Sequence, residues 1–170
     1  MPAIDLVLRT PADDGDRKLL ADVHRVGWHL VGVDAEADPA LPPFMFSVGM
    51  YYSLGCPEFV VVGLPHAAAM GLINNIGDAV RGGRRVECDV PQSDFVANFD
   101  IVLKPVEETN YREYLGFGLW FYKLLPHRFP CWQVFWPDRE GRFPWNAGCQ
   151  PAIVALQTDL TNPDRSGKVS

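Results

Sequence analysis

No apolar run in this chain approaches the roughly 18 residues that a membrane-spanning helix needs, so no membrane span is expected. Basic residues are also short: 15 Lys+Arg stand against 21 Asp+Glu, a formal charge of −6 with a pI near 5.1. A general nucleic-acid binder shows a basic face, so nucleic acid is not an expected partner. The compact basic run Arg81, Arg84 and Arg85, spaced by Gly82-Gly83, reads as a solvated helix end rather than a phosphate patch. Residues 1–16 carry acidic groups and lack the apolar core of a signal peptide, which makes the cytoplasm the expected compartment.

Cysteine is scarce. Cys56, Cys88, Cys131 and Cys149 form no C-x-x-C pair and fit no zinc spacing, so reduced, partly buried thiols are expected. His24, His29, His66 and His127 also lack metal-ligand spacing, and no metal is expected. Catalytic signatures are missing too: there is no G-x-S-x-G elbow, no Walker A loop, no G-x-G-x-x-G and no H-E-x-x-H. Gly116-Phe117-Gly118 falls in a predicted helix and does not read as a phosphate loop.

What the chain has in quantity is apolar and aromatic surface. Hydrophobic residues are 48% and charged residues 21% of 170, which suits one ordinary domain and excludes disorder. The aromatics are 5 Trp, 5 Tyr and 10 Phe, and twelve of them lie between Tyr111 and Trp145, including Trp120, Trp132, Trp136 and Trp145.

Along the chain, Thr10-Pro11 and Asp14-Gly15-Asp16 both offer helix starts. Leu19, Leu20, Val23 and Val26 follow at helical spacing, and Gly27 ends the helix. Residues 28–33, 44–50 and 58–64 read as strands, with 34–43 a loop and 51–57 a connection. Pro65 opens a helix whose stripe is Ala69, Leu72, Ile73, Ile76 and Val80, stopped by Gly82-Gly83. A short strand over 84–88 and a longer one within 95–106 follow, with Phe99, Ile101 and Leu103 alternating and Pro105 at the end. Thr109 caps a helix over 110–125, in which Gly116 and Gly118 cost about 1 kcal/mol each relative to Ala. Residues 131–136 are a strand, 137–141 a turn, 142–145 a hairpin return and 150–156 a last apolar segment. The predicted fold class is α+β: a mostly antiparallel or mixed β-sheet with about three packed helices in a single domain over 1–158, and a frayed polar tail over 159–170.

Several short motifs in this order resemble a bacterial family. They are Gly27-Trp28-His29, Phe46-Ser47-Val48-Gly49-Met50 and Pro57-Glu58-Phe59-Val60-Val61-Val62-Gly63-Leu64, then Gln133-Val134-Phe135-Trp136-Pro137-Asp138, Gly141-Arg142-Phe143-Pro144-Trp145 and Gln150-Pro151. The family is that of the domain of unknown function 4262, and the resemblance spans residues 16–156. Its pattern often carries histidine before the Pro-Glu pair, where this chain has Cys56. The resemblance supplies a motif map and implies no reaction. At the level of fold alone, the order of strand motifs is also loosely similar to suppressor-of-fused-type immunity domains.

Two groups of residues are candidates for chemistry. Glu58 follows a Cys-Pro turn and opens an apolar strand, where partial desolvation suits a carboxylate to acid/base work, or where it fixes the turn by accepting backbone N–H bonds. His66 at the next helix start and His127 are its candidate catalytic partners. In the aromatic block, Arg128, Gln133, Trp136, Asp138, Trp145 and Gln150 are candidate ligand-binding residues, because aromatic walls with a few polar groups describe a pocket, though the same residues can simply pack a core. Two readings follow. One is a non-catalytic binding or regulatory module for a protein partner or small ligand. The other is a small-molecule enzyme, a hydrolase or transferase using Glu58 with His66 or His127, or a flavin-binding domain; the cofactor, if any, is unknown from the sequence.

Overall fold

The computed structural model describes residues 2–37 and 40–163. The first helix, α1 (Asp14–Arg25), takes the start offered at Asp14 rather than the one at Thr10, with Asp13 as its cap. Asp13 Oδ1 accepts the Asp16 N–H at 2.8 Å, while Asp16 Oδ2 reaches back to the Ala12 N–H at 2.9 Å, a reciprocal closure of the first turn. Gly27, at φ 111°, ends it. The chain then enters β1 (His29–Val33), as predicted from the spacing.

The segment expected to be a plain loop contains the paired strands β2 (Glu36–Ala37) and β3 (Ala40–Leu41), with residues 38–39 outside the described set. Next come β4 (Phe44–Val48) and β5 (Glu58–Val62). The connection between them is a helix, α2 (Met50–Leu54), that the sequence did not announce. The long helix α3 (His66–Arg81) follows, with Ala69, Leu72, Ile73 and Ile76 buried as its stripe requires.

The short strand expected over 84–88 does not form, and no strand precedes Val102 in the segment 84–101. The strand β6 is therefore only Val102–Pro105. Cys88 touches β6 at Leu103, and Gln92 pairs with Ile101 within the segment itself, while Asp89 and Asp94 turn the chain at φ 64° and 73°. The helix expected over 110–125 is divided into a 3₁₀ turn (Glu108–Asn110), α4 (Tyr111–Tyr114) and α5 (Gly116–Phe121). The break falls at Leu115, φ −118° and ψ 40°, whose side chain is fully buried. Phe129 fills the space beside Gly118, where a Cβ would stand 2.8 Å from its ring. After β7 (Cys131–Phe135), the expected hairpin return does not form: side-chain bonds from Asp138 close the turn, and Phe143 and Trp145 stack on each other. The last helix is α6 (Pro151–Leu156).

Among the described residues, five strands form a mixed sheet in the order β1-β4-β5-β7-β6. Only β5 and β7 run parallel. The fold is α+β, with both faces of the sheet covered. Phe59 and Val61 face α3, in a core with Leu72, Ile73, Ile76, Trp28 and Trp136. Val60 and Val62 face the other way, against Leu19, Val23, Tyr111, Leu115, Phe121 and Tyr122. This double burial explains the uninterrupted EFVVV run of β5. The chain past Thr158 is not frayed up to Pro163: Leu160 is completely buried and its backbone is tied to Gln133, Glu107 and Asn110.

Candidate functional site

Glu58 opens β5, and β4 and β5 part in front of it. Its carboxylate enters the gap and meets five donors. Oε1 accepts the Ser47 hydroxyl at 2.7 Å and the Met50 N–H at 3.1 Å. Oε2 accepts the Gly49 N–H at 2.9 Å, the Tyr51 N–H at 3.0 Å and the Tyr122 hydroxyl at 2.5 Å. Three of the donors are the amides of Gly49, which caps α2, and of Met50 and Tyr51 in its first turn, none of which has a partner inside the helix. A carboxylate there supplies both acceptors and favourable charge. This is why a five-residue helix forms where its own side chains provide no cap.

Gly49 makes the approach possible. Its φ of 116° turns its N–H toward Glu58, and a Cβ there would stand 2.8 Å from Val23 and 2.9 Å from the Gly27 carbonyl. Complete burial pushes the Glu58 carboxyl above its ordinary value, and the Tyr122 and Ser47 hydroxyls with the Tyr51 and Gly49 amides draw it back down. Burial, with the Glu58 charge nearby, likewise pushes the Tyr122 hydroxyl far up and the Cys56 thiol up to about 12.

From this centre the structure leads outward to His127. Tyr51 gives its backbone N–H to Glu58 and shares a hydrogen bond of 2.8 Å between its hydroxyl and His127 Nε2. The Tyr51 ring stands edge-on to Tyr122 at 5.9 Å and to His127 at 6.0 Å. Tyr122, Lys123, Leu125, His127, Arg128 and Glu108 line an open groove of about 470 Å³. Arg128 pairs with Glu108 at 2.9 Å and lies 5.5 Å over the Tyr111 ring. Lys123 has no ion-pair partner among the described residues.

His66 is elsewhere. It follows the far end of β5, so the length of the strand, about 13 Å at 3.3 Å per residue, separates it from Glu58. Its ring meets the Val33 carbonyl at 3.2 Å and Asp34 at 3.7 Å. Of the candidate trio, Glu58 and His127 are linked through Tyr51, and His66 is not part of that assembly.

The aromatic block divides. Trp136 is buried, with Nε1 donating to the Val62 carbonyl at 3.1 Å and its backbone tied to the Gln157 side chain by two bonds. Gln133 is fully buried and holds the chain at 158–160, donating to the Thr158 carbonyl and accepting the Leu160 N–H. Asp138 accepts the N–H groups of Glu140, Arg142 and Gln150 and the Arg142 side chain. Desolvation raises its carboxyl, but these donors outweigh it and hold it at about 2. Trp145 is 47% exposed, stacked on Phe143 and covered by Lys104 at 4.6 Å. Gln150 is exposed ahead of α6. Only Arg128 of these six lines the His127 groove.

Sequence reasoning missed Ser47, Tyr51 and Tyr122. The available signal was that Ser47-Val48-Gly49 and Pro57-Glu58 both lie in recognisable motifs; nothing local said that they meet. Among the described residues, no group of three or more His, Cys, Asp or Glu is placed to hold a metal ion, and no helix is long and apolar enough to cross a membrane.

The family model described as a domain of unknown function, DUF4262, matches residues 22–150. No curated protein and no solved structure matches the chain.

Proposed function

The chain belongs to the family of the domain of unknown function DUF4262, and on that premise we propose that it is a non-catalytic binding module that takes a small ligand in the groove beneath His127 and Arg128. One observation carries this reading: the buried polar side chains of the candidate set are bonded within the chain, whereas Lys123, His127 and Arg128 project from the walls of a groove large enough for a small molecule. The Arg128–Glu108 pair is exposed on both sides, so its net contribution is small and a ligand anion can replace the carboxylate. Tyr122 gives the groove a rigid wall, since Glu58 fixes its hydroxyl from behind, and Tyr51, also bonded to Glu58, holds the His127 ring.

The enzyme reading has less support. Five donors occupy the roughly four lone-pair sites of the Glu58 carboxylate, which leaves none to take a proton from a substrate. His66 is a strand's length away.

The test is thermal denaturation against a panel of metabolites and nucleotides, with flavin mononucleotide included, alongside pull-down from lysate. The expected result is stabilisation by one class of small molecule that is lost in Arg128→Ala and kept in Trp145→Ala. A stoichiometric protein partner with no small-molecule effect replaces the ligand by a protein. Turnover that disappears in Glu58→Gln at unchanged stability overturns the reading in favour of an enzyme.

A further inference from the structure

The basic run Arg81, Arg84 and Arg85 does not behave as one solvated helix end. Arg81 turns away, donating to the Val26 carbonyl and covering Trp28 at 4.6 Å. Arg84 is held in place by a bond of 2.8 Å to the Ser93 carbonyl and by the Phe95 ring, 3.9 Å from its guanidinium carbon. Arg85 is exposed and has no ion-pair partner among the described residues. Arg84 and Arg85 stand at a cleft of about 250 Å³ whose apolar walls include Trp132, Pro57, Val86 and Leu54. This cleft is separate from the His127 groove and shares no lining residue with it.

Three features of the cleft favour one kind of occupant. No carboxylate is among its lining residues, although the chain as a whole is acidic. Cys56, also in the wall, is held as the neutral thiol by burial, so it adds no negative charge. Trp132 is half-buried, braced edge-on by Phe59 at 6.4 Å, and its indole N–H meets no acceptor among the described residues. By contrast, Trp28 donates to Asn74 and Trp136 to the Val62 carbonyl. An indole wall with an unused donor, one guanidinium pre-set and another unpaired, fits a flat ring carrying an anionic group.

We propose that this cleft is a binding site for a small aromatic anion, its ring against Trp132 and its carboxylate or phosphate on Arg85 and Arg84. The volume suits a single ring, smaller than the usual drug-sized ligand.

The test follows the Trp132 indole resonance by ¹H–¹⁵N NMR, assigned with Trp132→Phe, in titrations with benzoate, phenyl phosphate, benzyl alcohol and inorganic phosphate. Benzoate or phenyl phosphate should shift the resonance saturably, and whichever binds more tightly tells the carboxylate source from the phosphate source. Benzyl alcohol and inorganic phosphate should each bind roughly tenfold or more weakly, as should the aromatic anions in Arg85→Gln, which removes a charge-assisted contact. Arg85 is exposed, so this variant should melt with the wild type, and Arg128→Gln should leave the titration unchanged. The proposal is overturned if neither aromatic anion moves Trp132, if the neutral alcohol binds equally well, or if Arg85→Gln binds as the wild type does. None of these results bears on the His127 groove.

Discussion

The Tyr122 hydroxyl donates to the Glu58 carboxylate at 2.5 Å across 64 residues of sequence, and it accepts the Tyr52 N–H at 3.0 Å. One phenol thus ties the α5 end of the molecule to both α2 and the start of β5. Removing it in Tyr122→Phe deletes a hydrogen bond to a buried charge and leaves an amide without its acceptor. The expected cost is about 1.5–3 kcal/mol. Glu58→Gln should cost more, because an amide NH₂ would face donors that have nowhere else to go. Urea unfolding measures both, and a double-mutant cycle should show strong coupling between the two positions. Independent, additive effects would mean that the contact contributes nothing specific.

The position of Glu58 also has a consequence in pH. Burial raises its folded-state carboxyl above the unfolded value. The folded protein therefore binds that proton more readily than the unfolded chain does. The Glu58 contribution is fully favourable below the unfolded carboxylate range near pH 4.5, and it falls away as pH rises from there through the raised folded value. Comparing unfolding free energies of the wild type and Glu58→Gln as pH rises from 4.5 checks the sign: the Glu58 contribution should shrink with rising pH, and a contribution that grows would overturn it.

Asp138 titrates in the opposite sense. Its carboxyl sits at about 2 in the folded chain against 3.8 for an unperturbed aspartate. Its stabilising contribution is present above pH 3.8 and is lost as pH falls toward 2. Asp138→Asn should be less stable than the wild type near neutrality and show a flatter acid limb between pH 4 and 2. An acid limb identical in the two proteins would place the loss of stability on other carboxylates.

How much of this was legible in the sequence depends on how local the signal is. The β5 run and the α3 stripe were legible, because burial on both faces and burial on one face leave different apolar periods. The start of α1 was legible only as two competing sites, Thr10-Pro11 and Asp14-Gly15-Asp16, and the residue that caps it, Asp13, was not singled out. The long helix over 110–125 was overextended, and the strand expected within 95–106 is there but begins at Val102, later than the alternation from Phe99 suggests. Apolar residues continue through Leu115 and through Phe95–Ile101, but the backbone turns at Leu115, Asp89 and Asp94, and none of these is a glycine or proline. The site was the least legible part. Glu58 could be singled out as a carboxylate at a strand entrance, yet its donors come from 47–51 and from Tyr122, and no period or motif records a contact across 64 residues.

Gly49 should not tolerate a side chain. At φ 116° an L-residue is strained, and the added Cβ would press on Val23 and on the Gly27 carbonyl. Gly49→Ala should cost about 1–3 kcal/mol from the backbone alone, and relief of the clash would move the Gly49 N–H off Glu58. Hydrogen exchange should then show lost protection at Met50 and Tyr51 while the α3 amides keep theirs. Uniform loss across both would point to global destabilisation without a local role for the turn.

Leu160 lies in a segment that composition assigned to a frayed tail, yet it is completely buried and its backbone is bonded to three residues. Its N–H donates to Gln133 Oε1, and its carbonyl accepts the Glu107 N–H and the Asn110 side chain. The apolar contribution and the polar one can be separated. Leu160→Ala keeps the backbone bonds and leaves a cavity against Val60 and Phe121, so it should cost about 2–5 kcal/mol. Ending the chain after Thr158 removes both, and it also leaves the Gln133 carbonyl and the Asn110 amide buried without their partners, each worth about 1–3 kcal/mol. Truncation should therefore destabilise well beyond Leu160→Ala in urea unfolding. If it costs no more than that single substitution, the segment contributes one side chain to the core and its hydrogen bonds count for nothing.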